Sequence, residues 1–133
     1  MHDKQVIERK NMRKRILVAE DNKFTSMQYT KLLESHDHLV EVAIDGDDCI
    51  QKYTESITSN SKEKLFDVII LDHSMPKRSG ADVAANILSL NPNQKIILAS
   101  ASALATQKNY SKLKNHVAFL QKPFELSKIL ELI

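Results

Sequence analysis

Five polar side chains that each follow a short apolar run could combine into one chemical site. They are Glu20, Asp21, Asp72, Ser100 and Lys122. Three carboxylates held together repel one another, and a hard divalent cation such as Mg²⁺, which prefers carboxylate oxygens, would remove that repulsion. The ammonium group of Lys122 would neutralise Asp72 further. Because an aspartate carboxylate is a competent nucleophile towards phosphorus, this set predicts phosphoryl transfer beside a metal ion.

Each of these residues also has an ordinary structural explanation. The Glu20–Asp21 pair is compatible with a solvated turn, and Asp72 with a helix cap. Ser100 and Lys122 could be plain loop residues. The chemical interpretation depends on finding all of them at the ends of successive strands, where ligands bind in an open parallel sheet.

The elements that would position these side chains alternate regularly along the chain. Apolar patterns predict five strands, at residues 16–19, 40–44, 66–71, 96–99 and 117–120. The stretches between and after them predict five helices, at about residues 24–35, 45–57, 82–90, 104–113 and 125–133. This alternation predicts an α/β fold with a doubly wound, five-stranded parallel sheet. The expected strand order is the flavodoxin-like 2-1-3-4-5, with helices on both faces.

Composition excludes several classes of protein. The chain of 133 residues fits one domain, and its net charge of +2 is too small to argue for nucleic-acid binding. Six Lys or Arg against two acidic residues in positions 1–15 predict a basic N-terminal extension (1–14) before a folded domain (15–133). Neither a membrane-spanning run nor a secretory signal is present, and the single cysteine, Cys49, cannot form an internal disulfide. We therefore expect a cytoplasmic protein without a membrane partner.

Four motifs in order resemble those of a known signalling family. They are ILVAEDN (16–22), DVIILDHSMP (67–76) followed by Gly80, IILASA (96–101) and KPF (122–124). From about Lys14 to Ile133 the chain resembles the receiver domain of two-component response regulators, in the CheY-like superfamily. The resemblance implies a signalling phosphoacceptor, not an enzyme, that takes a phosphoryl group from a phosphohistidine donor. Such a domain assists its own phosphorylation and dephosphorylation and switches a partner-binding surface.

The resemblance also implies a role for each site residue. Asp72 would be the phosphoacceptor, Ser100 would contact the phosphoryl group, and Lys122 would pair with Asp72 or with the phosphoryl oxygens. The implied Mg²⁺ ligands are Glu20, Asp21 and Asp72, with Glu20 acting through a metal-bound water, and the backbone carbonyl of Ser74. The implied donor is a sensor histidine kinase or a histidine phosphotransfer protein. A downstream effector would bind the face formed by the fourth helix, the fifth strand and the fifth helix, including Phe119.

Other interpretations remain open from sequence. An aspartyl-nucleophile phosphatase usually carries a second Asp two residues after the nucleophile, where this chain has Ser74. A nucleotide-binding Rossmann-like domain needs a glycine-rich loop after the first strand, and the chain contains only two glycines. A receiver that works without phosphorylation would not need the full acidic set. The last predicted helix has no C-terminal cap at Ile133, which is also consistent with a fragment of a larger regulator or hybrid kinase.

Overall fold

The computed structural model describes residues 13–133, apart from the side chains of residues 106 and 109. Its five parallel strands are β1 (Arg15–Ala19), β2 (Leu39–Ala43), β3 (Val68–Asp72), β4 (Lys95–Ser100) and β5 (Ala118–Gln121). Its four α-helices in the described residues are α1 (Lys23–Ser35), α2 (Gly46–Thr58), α3 (Gly80–Leu90) and α4 (Lys128–Leu132). The sheet has the order β2-β1-β3-β4-β5, which confirms the predicted doubly wound α/β fold.

The sheet divides the hydrophobic core into two layers, because successive side chains of a strand point to opposite faces. One layer lies under α2 and α3 and includes Leu17, Ile69, Leu71, Leu98, Cys49, Tyr53, Val83 and Ile87. The other lies under α1 and α4 and includes Ile16, Val18, Ile70, Ile97, Tyr29, Leu33 and Ile129. Every residue of β3 is buried, as expected for the central strand of a sheet that is covered on both sides.

Side-chain caps fix where three helices begin. Asn22 accepts a hydrogen bond from the backbone N–H of Thr25 at 3.0 Å, and Asp45 accepts one from Asp48 at 2.7 Å. Ser79 caps α3 in the same way, through the N–H of Asp82. Each cap satisfies a backbone donor that the first helical turn leaves free. The caps at Asn22 and Ser79 therefore start α1 and α3 a few residues beyond the ends of β1 and β3, where the candidate site lies.

Helix α1 has the predicted extent, but its buried face differs from the apolar pattern that predicted it. Phe24 and Met27 are 71% and 61% exposed. The buried positions are Ser26, Tyr29 and Leu33, whose spacing of three and four residues forms one stripe against the sheet. Apolar side chains in this helix are therefore divided between the core and the surface.

The prediction of a fourth helix at residues 104–113 is wrong. Two 3₁₀ turns, Leu104–Thr106 and Lys108–Tyr110, stand in its place. Most helical stability in proteins comes from burying a continuous apolar face, and here Gln107 and Lys108 interrupt the apolar positions between Leu104 and Tyr110. The last helix is also shorter than predicted, because the chain at residues 125–130 first makes i to i−3 hydrogen bonds.

The predicted basic extension falls mostly on residues 1–12, which lie outside the described residues. Within residues 13–133, no helix combines the length and the apolar character needed to cross a membrane.

The start of α3 packs directly against the end of β3. The N–H of Gly80 donates to the carbonyl of His73 at 2.9 Å. A Cβ atom at Gly80 would lie 2.5 Å from the carbonyl oxygen of Asp72 and 2.6 Å from Cδ1 of Leu98. Position 80 therefore requires glycine because of this close approach.

We expect Gly80→Ala to destabilise the fold by about 1–3 kcal/mol, because the added methyl group must displace backbone at the end of β3. Urea unfolding measures this change. The matched control is Ser89→Ala at an exposed position of α3, which should stay within about 0.5 kcal/mol of wild type. Equal stability of the two variants would show that the contact at position 80 is not tight.

Candidate functional site

The ends of β1 and β3 bring three carboxylates together. The two strands are parallel neighbours whose last paired residues are Ala19 and Leu71, so the residues that follow them are also adjacent. The carboxylate oxygens of Glu20, Asp21 and Asp72 lie within 4.8 Å of one another. Among residues 13–133 this is the one group of three or more His, Cys, Asp or Glu side chains that could hold a metal ion.

Glu20 is the most constrained of the three carboxylates. Its side chain is only 5% exposed, and Oε1 accepts a hydrogen bond from the N–H of Asn22 at 3.1 Å. Oε2 is buried and has no hydrogen-bond partner. A buried oxygen without a partner costs free energy, and a cation or its water shell would satisfy it. The donor set and this unpaired oxygen therefore fit a hard divalent metal.

The electrostatics of the cluster follow from its burial. Desolvation, followed by the negative charge of Asp72, raises the pKa of Glu20 to about 7. The N–H of Asn22 and the ammonium group of Lys122 act in the opposite direction. Burial, together with Glu20 and Asp72, also raises the pKa of the Tyr29 phenol behind the site. Without a cation, Glu20 therefore keeps its proton to a higher pH than a solvated carboxyl group does.

Lys122 supplies the positive charge of the site. Its Nζ lies 2.6 Å from Oδ1 of Asp72, a carboxylate whose side chain is 8% exposed. Its backbone N–H donates to the carbonyl of Ser100 at 2.7 Å, which keeps the chain beside β4 after β5 ends. The structure thus brings four of the predicted residues together: Glu20, Asp21, Asp72 and Lys122.

Ser100 ends β4 next to Ala99, the register partner of Asp72. Its hydroxyl oxygen accepts a hydrogen bond from the N–H of Ser102 at 3.1 Å and lies 3.2 Å from the Ser102 hydroxyl. Sequence reasoning did not single out Ser102. The sequence does contain a signal for this contact, because two serines separated by one residue, Ser100 and Ser102, favour a local turn.

The exposed loop that contains Ser74 is held against the start of α2. Arg78 Nε lies 2.7 Å from Oδ1 of Asp47, and Lys77 Nζ lies 3.4 Å from Oδ2 of Asp45. Sequence analysis did not predict these contacts, although two adjacent basic residues and an acidic helix start were visible. The loop therefore has a defined position next to the carboxylates.

His73 is a structural neighbour of the site. Its Nδ1 accepts a hydrogen bond from the N–H of Ala81 at 3.3 Å. Its ring meets the ring of Tyr110 edge-on, with 5.6 Å between the centroids. Both contacts tie the end of β3 to its surroundings.

An open groove of about 1330 Å³ starts at the carboxylates and follows α1. Glu20 and Asp21 line one end of it. Phe24, Met27 and Ile44 also line it, and Ile44 is 65% exposed. Exposed apolar side chains next to a polar site are typical of a surface that binds another protein.

The family model for the response regulator receiver domain matches residues 16–133. The chain belongs to this family. It is similar to the chemotaxis protein CheY of Treponema pallidum, with 29% identity over 90% of this chain and 79% of the relative. CheY of Thermotoga maritima is 28% identical over 90% of this chain and 94% of its own length.

Solved structures agree with this assignment. A Francisella response regulator receiver domain is 26% identical, with a TM-score of 0.72 over 89% of this chain and 91% of its own. CheY in the Borrelia burgdorferi CheX–CheY–BeF₃–Mg²⁺ complex is also 26% identical, with a TM-score of 0.72 over 88% and 84%. The protein is therefore a receiver domain with a phosphoacceptor function in signalling, and the phosphatase alternative is not favoured.

The raised pKa of Glu20 predicts a pH-dependent stability of the metal-free receiver domain. Because the folded state holds this proton more tightly than the unfolded state, the free energy of unfolding should fall as pH rises from about 4.5 to about 7. Thermal unfolding in a chelator at several pH values measures this. Glu20→Gln removes the titrating group and should flatten the decrease, and the difference between the two proteins cancels the contributions of other groups. Identical pH profiles for both proteins would contradict the assignment.

Proposed function

We propose that this receiver domain accepts a phosphoryl group on Asp72 and that Mg²⁺ supports the transfer. The observation that carries the proposal is the cluster of three carboxylates within 4.8 Å, one of them paired with Lys122 at 2.6 Å. The site thus combines a nucleophile, ligands for a cation and a positive side chain. These are the components that phosphoryl transfer needs.

The proposed metal ligands are the side chains of Asp21 and Asp72 and the backbone carbonyl of Ser74, with Glu20 acting mainly through a metal-bound water. The unpaired Oε2 of Glu20 supports this set. When bound, Mg²⁺ supplies positive charge that offsets the negative charge of the phosphoryl oxygens.

In the proposed step, a carboxylate oxygen of Asp72 forms a bond to phosphorus while the phosphorus–nitrogen bond of a phosphohistidine breaks. The electron pair of that bond returns to the imidazole nitrogen, which takes up a proton. Lys122 then pairs with a phosphoryl oxygen, and the Ser100 hydroxyl donates a hydrogen bond to another. In this proposal the donor supplies the phosphoryl group, and the residues of the receiver domain promote its transfer. The same residues would also assist the later dephosphorylation of Asp72.

The proposed donor is a sensor histidine kinase or a histidine phosphotransfer protein. A protein that covers Asp72 also covers the adjacent groove, where the exposed side chains of Phe24, Met27 and Ile44 offer apolar contact area. Burying such side chains stabilises a complex in proportion to the area removed from water. The groove therefore favours a protein donor with an apolar contact surface beside its phosphohistidine.

The proposed output face comprises residues 101–117, β5 and α4, and it includes the half-buried Phe119 of β5. It replaces the predicted face that contained a fourth helix before β5. Phe119 packs against the core layer under α2 and α3, so a change of its position would change the apolar surface of this face.

A cytoplasmic location stays a prediction.

Asp72→Asn tests the proposed acceptor, since it preserves shape and removes the nucleophile. Incubation of wild type with acetyl phosphate and Mg²⁺ should add the mass of one phosphoryl group, labile in base, and a chelator should abolish the gain. The variant should gain no such mass in intact-protein mass spectrometry.

The matched control is Asp82→Asn, which removes an exposed carboxylate from the first turn of α3 and should label like wild type. Labelling of Asp72→Asn at the wild-type level, or labelling that survives the chelator, would overturn the proposed site.

Lys122→Ala tests whether the lysine serves switching more than labelling. A bound cation already neutralises much of the site, so the variant should still gain the phosphoryl mass. Without the ammonium group, the change at Asp72 should not reach residues 101–121. Backbone amide NMR shifts before and after phosphorylation measure this. Remote shifts as large as in wild type would mean that Lys122 does not transmit the change.

A further inference from the structure

The hydroxyl of Ser100 is held by its neighbour Ser102. Ser100 Oγ accepts the backbone N–H of Ser102 at 3.1 Å, and the two hydroxyl oxygens are 3.2 Å apart. The first bond closes a local turn directly after β4, and the second joins the two side chains. Both contacts of the Ser100 hydroxyl are thus made with Ser102, two residues further along the chain.

A serine hydroxyl has a single hydrogen to donate. If Ser100 donates it to Ser102, it must break that bond before donating to a phosphoryl oxygen. If Ser102 is the donor, the Ser100 oxygen is held in the same turn by two donors. In both cases the side chain of Ser102 stabilises the orientation that Ser100 has before phosphorylation.

We propose that Ser102 is a positioning residue that restrains Ser100 and sets how readily the receiver domain switches. The proposal rests on the proposed function, in which Ser100 contacts the phosphoryl group. It adds a residue that opposes the switch, whereas Asp72, Lys122 and the metal ligands favour it.

The surroundings allow this restraint to open. Ser102 is exposed, so water can replace its hydrogen bond once Ser100 turns away. A cavity of about 200 Å³, lined by Ser100, Ser102, Leu104 and Phe119 among others, lies beside the pair. Ser100 therefore borders open space on this side and is not locked there by close packing.

The restraint should be weak. At 3.2 Å the contact is long for a hydrogen bond between hydroxyls, and the backbone N–H of Ser102 remains after truncation of the side chain. Loss of one weak neutral hydrogen bond corresponds to a change of about two- to fivefold in the equilibrium between the two orientations.

The test measures the apparent dissociation constant of beryllofluoride in saturating Mg²⁺ by ¹⁹F NMR, with the full chain. Ser102→Ala should bind about two- to fivefold more tightly than wild type, because Ser100 is released. Ser102→Thr keeps the hydroxyl and should restore wild-type affinity. Ser111→Ala, at an exposed serine in the same segment, is the control and should leave affinity unchanged.

A double-mutant cycle provides the readout that a general loosening of the loop would not reproduce. In a Ser100→Ala background there is no hydroxyl to restrain, so Ser102→Ala should have no further effect. An unchanged or weaker affinity of Ser102→Ala in the wild-type background would overturn the proposal, as would an equal gain in the Ser100→Ala background. A wild-type protein that binds no beryllofluoride would instead contradict the proposed function itself.

Discussion

Electrostatic repulsion among three carboxylates is the constraint on which this receiver domain depends. Parallel pairing of β1 and β3 places Glu20, Asp21 and Asp72 at one edge of the sheet, with their oxygens within 4.8 Å. In the folded chain the ammonium group of Lys122 and, below about pH 7, a proton on Glu20 relieve part of that repulsion. The fold therefore maintains an electrostatically strained site, and it does so because the strands that carry it are stabilised by a large buried core.

The scaffold around the carboxylates is closely packed where it meets the end of β3. Close packing of Gly80 against the backbone of Asp72 and the bond from the Gly80 N–H to His73 fix the end of β3. The next loop is held against the start of α2 by the exposed Arg78–Asp47 pair, by the pair of Lys77 with the largely buried Asp45, and by the close approach of Gly46 to Arg78. The proposed nucleophile, Asp72, and the loop with the proposed carbonyl ligand, Ser74, are therefore each held by close packing against the start of a helix.

Sequence patterns predicted the sheet and the carboxylate edge because both depend on strongly periodic features. An apolar run that ends in an acidic residue identifies a buried strand and its carboxyl end, and β1 and β3 both follow this rule. The segment at residues 104–113 could not be predicted in the same way, since its apolar residues are too sparse to decide between a helix and 3₁₀ turns. The exposure of Phe24 and Met27 could not be predicted either, because helical spacing alone does not show which of two apolar faces of a helix packs against the sheet. The hydrogen bonds of Ser100 depend on a rotamer, which no sequence pattern determines.

The two layers of the core have a consequence for how such a domain can diversify. By the alternation of side chains along a strand, Glu20, directly after β1, and Asp72, at the end of β3, lie on the side of the sheet under α1, whereas Phe119 packs into the layer under α2 and α3. The sheet separates the two, and Ser100, which lines a cavity together with Phe119, is the point at the end of β4 where they meet. A lineage can therefore exchange its downstream partner by mutation on the Phe119 side and keep the carboxylates unchanged, provided that the mutations spare Ser100 and its neighbour Ser102.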